Sequence, residues 1–257
     1  MDILRKEINS IYYSQALDSE LLNAAEVAAC RRLAEGYVSV NGACSVITDA
    51  SCDRCYLFAG RLGALMGLTD APQLYQEVDS SDEDIIYNRL HPEDLVEKRM
   101  LEYEYFKFVD ALSPEEKLHY KATSRIRIMD RSGRYIVLDN SVQILRHSPA
   151  GKIWLIMCCY DLASSQEAGI DINPRIVNNL TGEIITMSLS DRKERILTER
   201  EKEILLLIKE GKPSKQIADI LGISVHTVSR HRQNIIEKLS VGNSVEAVMA
   251  ATSMKLL

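Results

Sequence analysis

The stretch that decides the fold of the C-terminal end reads LTEREKEILLLIKEGKPSKQIADILGISVHTVSRHRQNIIEKL and spans residues 197–239. Thr198 is followed three residues later by Glu201, which is the capping-box pattern of a helix start. Gly222 supplies the tight turn that joins two helices at a steep angle. Ser224 then caps a further helix. The pattern predicts three helices, the last two joined by a short turn.

The apolar residues of this stretch recur at helical spacing. Ser214 is expected to cap the second helix, and a fourth helix is expected from about Ser244 to Ser253. The residues predicted to face inward are Ile204, Leu205 and Ile208 in the first helix, Ile217, Ala218 and Leu221 in the second, and Val228, Ile235 and Leu239 in the third. A small all-α domain with its own core is therefore expected.

Charge is distributed unevenly along the 257-residue chain, whose net charge is −6. Residues 191–257 carry 12 Lys and Arg against 9 Asp and Glu, whereas the remainder carries 19 against 28. An acidic body with a mildly basic end is consistent with a protein in which only that end meets phosphate.

The residue identities and spacing over 197–252 closely resemble the LuxR-type helix-turn-helix. That resemblance implies a four-helix module whose third helix enters the DNA major groove and whose fourth helix often lies at a dimer interface. Many family members have lysine where this chain has Ser229, so the operator sequence is left open. The alternative is a helical bundle whose polar face is merely solvated.

The third helix presents polar side chains that suit contacts with duplex DNA. Arginine bonds guanine in two places, and glutamine or asparagine bonds adenine in the same way. Base reading is assigned to Arg230 and Gln233, with Ser229 and Asn234 as further candidates. Phosphate contacts, which position a protein without specifying sequence, are assigned to Lys215, Thr227, His231, Arg232 and Lys238.

The N-terminal part predicts an α+β domain with an antiparallel sheet flanked by helices. Strands are expected at 43–48, 54–59, 121–130, 135–145 and 153–162, and helices at 21–33, 61–68 and from Pro92 to about Leu112. A cap at Asp18 or Ser19 is expected for the first of these helices. Ile153–Leu162 is so apolar that it predicts a central strand covered on both faces.

The order of two strands, helices and three antiparallel strands resembles a PAS domain over about 37–163. The resemblance depends on His-Pro-Glu-Asp at 91–94 and on Arg-Ser-Gly-Arg-Tyr at 131–135. It implies a sensory or dimerising module with a cavity, whose ligand is unknown. The expected plan is a helical segment over 1–36, the PAS-like domain over 37–163, a linker with a short hairpin over 164–195 and the helix-turn-helix domain over 196–257.

Other chemistry is weighed against simpler explanations. Cys52 and Cys55 have the spacing of a redox or zinc pair, but a structural zinc needs four ligands, and no second cysteine pair follows at suitable spacing. A haem ligand among His91, His119 and His147 is the less favoured interpretation. The sequence lacks a Gly-rich phosphate loop, Gly-x-Ser-x-Gly and His-Glu-x-x-His. We expect no enzyme activity, no catalytic residues, no metal and no cofactor.

These patterns predict a cytoplasmic, sequence-specific transcription regulator that binds double-stranded DNA as a homodimer, without membrane contact. Dimerisation is assigned to the N-terminal helix, the PAS-like sheet or the last helix, and RNA polymerase is a further candidate partner. The alternatives are a thiol-based redox sensor built on Cys52 and Cys55, a sigma-like promoter-recognition factor, and a PAS-like domain that only dimerises and binds no ligand. A sigma-like factor would need a basic, aromatic region upstream, and the upstream part here is acidic and strand-rich.

Overall fold

Eight strands, ten α-helices and one 3₁₀-helix (Leu17–Ser19) make up the part of the chain that a computed structural model describes. That part comprises residues 3–71, 73–81, 83–167, 169, 171–189, 196–239, 241–253 and 256–257. The chain divides into two units, one of residues 8–187 and one that joins residues 1–7 to 188–257. Within the linker expected at 164–195, residues 168, 170 and 190–195 lie outside the described residues.

The larger unit is built on one antiparallel sheet with the order β3-β2-β1-β6-β5-β4-β7-β8. The strands are β1 (Cys44–Asp49), β2 (Arg54–Ala59), β3 (Leu74–Val78), β4 (Tyr120–Met129), β5 (Tyr135–His147), β6 (Ile153–Leu162), β7 (Arg175–Asn178) and β8 (Ile184–Thr186). Every neighbouring pair is antiparallel. The antiparallel α+β class expected for this part is therefore confirmed.

Six α-helices of the described residues precede, interrupt or flank this sheet. They are α1 (Ile3–Ser14), α2 (Ala24–Asn41), α3 (Arg61–Leu65), α4 (Asp84–Tyr87), α5 (Pro92–Asp110) and α6 (Pro114–Lys117). Proline at the first position of α5 and two carboxylates in its first turn suit the positive end of the helix dipole, as the sequence predicts. The cap of α2 is Asn23, whose side chain accepts from the Ala25 N–H at 2.9 Å, rather than Asp18 or Ser19.

Two apolar clusters cover the two faces of the sheet. Alternation along each strand sends one set of side chains to the inner face, where Tyr105 and Phe106 of α5 are packed. The other set meets α2 through Cys30, Ala34 and Val38. β6 lies between β1 and β5 and is buried over most of its length, so the expectation of a central, doubly covered strand is confirmed.

Two parts of the sheet differ from the sequence prediction. β3 was not predicted, because its exposed residues Gln76 and Glu77 are polar and because, among the described strands, this edge strand pairs with β2 alone. The hairpin expected within a linker is β7 and β8, and β7 pairs with β4 from Tyr120 to Thr123. The hairpin therefore extends the sheet.

The described C-terminal residues form α7 (Glu199–Lys209), α8 (Ser214–Leu221), α9 (Val225–Leu239) and α10 (Ser244–Ser253). Their shared core contains Ile204, Leu205, Ile217, Val228 and Ile235, all of which are at most 1% exposed. Among the described residues, no helix combines the length and apolar character needed to cross a membrane.

Candidate nucleic-acid interface

The turn between α8 and α9 is built from Gly222 and Ser224. Gly222 has φ of +64°, a left-handed conformation that glycine adopts without steric cost, and its N–H closes α8 on the carbonyl of Ala218. The Ser224 hydroxyl then accepts from the Thr227 N–H at 3.0 Å and caps α9. This pair of local bonds sets the angle at which α9 leaves the turn.

α7 is tied to α9 by a capping box that also carries an ion pair. The Glu201 carboxylate accepts from the Thr198 N–H at 2.8 Å, and the Thr198 hydroxyl accepts from the Glu201 N–H at 3.3 Å. The same carboxylate lies 2.6 Å from the Lys238 ammonium, and the Glu201 side chain is only 3% exposed. The capping box predicted from the sequence therefore also positions the end of α9.

Arg200 and Arg232 brace the ends of α8. Arg200 donates to the Leu221 carbonyl at 2.9 Å, which satisfies one of the last carbonyls of that helix. Arg232 donates to the hydroxyls of Ser214 at 3.0 Å and Ser244 at 3.1 Å. Ser214 is thus the first residue of α8 and an acceptor for Arg232, while the cap position itself is Pro213.

The outward face of α9 collects most of the residues assigned to base reading. Ser229, Arg230 and Gln233 are exposed, whereas Asn234 is half-buried. Gln233 donates to the Glu237 carboxylate at 3.2 Å. Arg230 makes no hydrogen bond or ion pair with any residue that the structure describes. The face therefore offers a cation and an amide on an exposed helix surface.

The residues assigned to phosphate contact are placed in two different ways. Lys215 on α8 is exposed and lacks a partner among the described residues. Thr227, His231, Arg232 and Lys238 are half-buried. The hydroxyl of Thr227 lies 2.8 Å from that of Ser224, and Arg232 and Lys238 donate inside their own domain. Nδ1 of His231 is buried without a hydrogen-bond partner in the described part of the chain.

Val225 was not selected from the sequence, although it belongs to the same surface. It is the first residue of α9 and is 46% exposed, four residues before Ser229. Residues four apart share a helix face. The signal available in the sequence was its position directly after the Ser224 cap, and an apolar side chain there suits contact with a thymine methyl group.

The cysteines do not form a redox or metal cluster in the structure. All six lie within the described residues and are thiols. Cys52 is exposed in the β1–β2 turn, whereas Cys55 is buried in the inner-face cluster. Burial and then the Asp49 carboxylate raise the pKa of Cys52, and burial raises that of Cys159 to about 11. A raised pKa disfavours the reactive thiolate.

His91, Glu93 and Asp94 have potential metal-ligand atoms within 4.8 Å of one another. The guanidinium of Arg127 already faces both carboxylates, at 2.9 Å from Glu93 and 2.5 Å from Asp94. Burial, and then the charge of Arg127, lower the pKa of His91. The cluster is therefore an ion-pair network at the start of α5.

A second charged cluster lies buried in the larger unit. The ammonium of Lys98 contacts Glu102 and lies 3.0 Å from the Tyr87 hydroxyl, and Tyr160 donates to Glu83. Burial raises the pKa of Glu83. Because these groups satisfy one another, the cluster by itself identifies no ligand.

Comparison with known proteins finds a family match within the C-terminal residues. Residues 195–251 match the model of "Bacterial regulatory proteins, luxR family". The oxygen regulatory protein NreC of Staphylococcus carnosus is 37% identical over 91 residues, which cover 34% of this chain and 42% of NreC. The response regulatory protein YgeK of Escherichia coli is 48% identical over 58 residues, covering 23% of this chain and 40% of YgeK. The chain thus spans about two-fifths of the length of these relatives.

Among solved structures, the VqmA dimer of Vibrio cholerae aligns over 92% of this chain and 89% of that chain, with 16% identity and a TM-score of 0.30. That likeness is too weak to assign the fold of either unit. The family assignment therefore depends on the C-terminal match and on the capped helices described above. Residues 195–251 of this chain form a LuxR-family helix-turn-helix domain.

Proposed function

We propose that this protein is a cytoplasmic, homodimeric transcription regulator that binds specific sequences in double-stranded DNA through α9. The observation that carries the proposal is the exposed face of α9, on which Arg230 has no partner among the described residues. An unpaired guanidinium on a helix that can enter the major groove suits the two acceptors of a guanine edge.

Base reading and positioning are divided among exposed and half-buried residues of α8 and α9. Arg230 and Gln233 read base edges, with Ser229 and Asn234 beside them. Lys215 supplies a phosphate contact from α8, because its ammonium is exposed and uncommitted. Thr227 and His231 lie near the start and middle of α9 and contact phosphates of the DNA backbone. Phosphate contacts by Arg232 and Lys238 require their present internal bonds to be shared or exchanged.

The N-terminal part acts as a PAS-like sensory or dimerising module over 37–163, preceded by the helical segment 1–36 and followed by residues 164–195, of which β7 and β8 extend the sheet. The element order supports this proposal: β1 and β2 come first, then helices α3 to α6 with the edge strand β3 between α3 and α4, and then β4, β5 and β6. A signal received there changes the geometry of the dimer or releases the domain at 196–257. RNA polymerase is the further partner through which bound protein would act on transcription.

The test uses the full chain with a pool of random DNA duplexes, followed by binding measurements on the selected sequence at several salt concentrations. Neutralising phosphates releases counterions, so the logarithm of the binding constant falls linearly with the logarithm of salt concentration. Lys215→Ala should weaken binding to all duplexes and reduce that slope by about 1. The proposal would be rejected if the selection enriched no sequence and if the protein retained no duplex at low salt.

A further inference from the structure

One helix of the larger unit has exposed apolar residues along one flank of its outward side. The inward side of α2 is buried against the sheet through Cys30, Ala34 and Val38. Leu33 is nevertheless 54% exposed, and Val40, seven residues later on the same side, is 81% exposed. A helix that covers a sheet ordinarily has a polar outer surface, so this outward side lacks a partner within the described chain.

Small residues accompany the two exposed apolar side chains. Ala25 and Gly36 are exposed on the outward side, and Ala29 is half-buried between them. A Cβ at Gly36 would meet nothing within 4 Å, so no contact among the described residues requires glycine there. Glycine inside a helix costs about 1 kcal/mol relative to alanine. Another helix approaching closely at this point would account for the residue, because the distance between packed helices depends on side-chain size.

The charged residues beside this surface are themselves complementary. Arg32 and Glu35 are exposed and have no ion pair or hydrogen bond among the described residues. Arg31 and Glu26, by contrast, are committed within the unit. Arg31 lies 4.6 Å from the ring centroid of Tyr56, and Glu26 lies 2.5 Å from Arg146.

A two-fold axis turns this pair of charges into two cross-pairs. In an isologous contact, residue i meets residue j and j meets i. If two copies of α2 run antiparallel about an axis near residue 34, Arg32 comes opposite the partner's Glu35 on both sides of the axis. A parallel pair would bring like charges together. Leu33 and Val40 then lie on the other flank. Leu33 is beside the axis, against the partner's Leu33, and Val40 lies about 10 Å farther along the helix, opposite position 27 of the partner's helix.

We propose that the outward side of α2 is the homodimer interface, with two copies of the helix packed antiparallel and Arg32 paired with the partner's Glu35. This inference rests on the homodimer of the proposed function and selects one of the surfaces available to it. It also assigns a role to Gly36, which the fold of one protomer leaves unexplained.

The size of the helix predicts how tight this dimer is. Eighteen residues at 1.5 Å each give about 27 Å of helix, and such a pair buries less than the ~800 Å² per partner of a standard interface. In the absence of DNA, the dimer should therefore have a dissociation constant in the micromolar range. Binding of two domains to adjacent half-sites raises the effective concentration and stabilises the dimer on DNA.

The experiment measures mass by sedimentation velocity over a concentration series of the full chain. Arg32→Glu and Glu35→Arg should each raise the dimer dissociation constant about tenfold, because both cross-pairs become repulsive. The double variant Arg32→Glu/Glu35→Arg should restore the wild-type constant. Val40→Asp should abolish the dimer, and Leu180→Asp, at another highly exposed leucine, should leave it unchanged.

Three outcomes overturn the proposal. One is unchanged mass in both single charge variants, and another is dissociation by Met249→Asp on α10 without any effect of the α2 variants. The third is a wild-type protein that stays monomeric on and off DNA. DNA retention by that monomer would leave the helix-turn-helix proposal intact while removing the dimer, so the two failures are distinguishable. Circular dichroism of each variant verifies that the exposed substitutions leave the fold unchanged.

Discussion

Arg230 is the residue that separates DNA recognition from simple solvation of α9. Arg232 of the same helix serves the structure of the domain instead, because it donates to Ser214 and Ser244. Arg230 has no such commitment among the described residues. Sequence spacing predicted which side of α9 is exposed, because Val228 and Ile235 fix the buried side. It did not predict which cations are committed, since that depends on contacts between helices.

His91 makes the stability of the N-terminal domain depend on pH. Burial and the nearby charge of Arg127 lower its pKa in the folded protein. The unfolded chain therefore binds the proton more tightly, and the free energy of unfolding should fall as the pH drops below about 6.5. His91→Gln should remove this part of the decrease.

The measurement is urea unfolding at several pH values, monitored by the fluorescence of Trp154. This residue is the single tryptophan of the chain and is buried in the same domain. The wild-type protein should lose more stability on acidification than His91→Gln does. Identical pH dependence in the two proteins would show that His91 does not contribute.

The cysteines give a prediction that addresses the redox alternative. Cys52 is the exposed thiol, and burial raises the pKa of Cys44 to about 12. A colorimetric disulfide reagent at neutral pH should therefore label native protein slowly and at one site, and Cys52→Ser should remove that labelling. Rapid labelling of two sites, or an oxidant-dependent change in DNA binding lost in Cys52→Ser, would favour a thiol sensor instead.

Among the contacts between elements, the ion pair that joins α7 to α9 has the clearest effect on stability. Glu201 is 3% exposed and faces Lys238, so removing the cation leaves a buried charge unpaired. Lys238→Met should destabilise the C-terminal domain by about 3 kcal/mol. Adding Glu201→Gln should recover most of the loss, because glutamine removes the charge yet still completes a capping box with Thr198.

Far-UV circular dichroism during urea unfolding measures this effect, while Trp154 fluorescence follows the sheet domain separately. Lys215→Met is the matched control, because Lys215 is exposed and lacks a partner among the described residues. Equal stability of Lys238→Met and the control would mean that the ion pair contributes nothing to the domain.

Elements with a strong local signal were predictable, and elements that depend on distant partners were not. The start of α5 was predictable from Pro92, Glu93 and Asp94, because proline and carboxylates suit the first turn of a helix. β3 has no such pattern, since it is held mainly by its backbone bonds to β2. The attachment of β7 to β4 was missed because residues 120–123 and 175–178 are far apart in sequence and neither segment encodes the other as partner.

At the scale of the whole molecule, the proposed regulator couples two different uses of exposed helix surface. α9 offers polar side chains to DNA, and α2 offers an apolar, self-complementary side to a second copy of the chain. Two-fold symmetry in the protein predicts an operator with two inverted half-sites whose centres lie about one DNA turn, ~34 Å, apart. The uneven charge of the chain is consistent with this division, because an acidic body is repelled by DNA phosphates and a mildly basic end is attracted to them.

The most direct test of the central claim is selection of preferred duplexes by the full-length wild type and by Arg230→Ala, read by sequencing. We expect the wild type to select an inverted repeat. The variant should lose the preference for guanine at one position in each half-site, which removes a discrimination of about 1–3 kcal/mol. An identical motif selected with equal strength by both proteins would contradict the claim that the exposed face of α9 reads the base sequence.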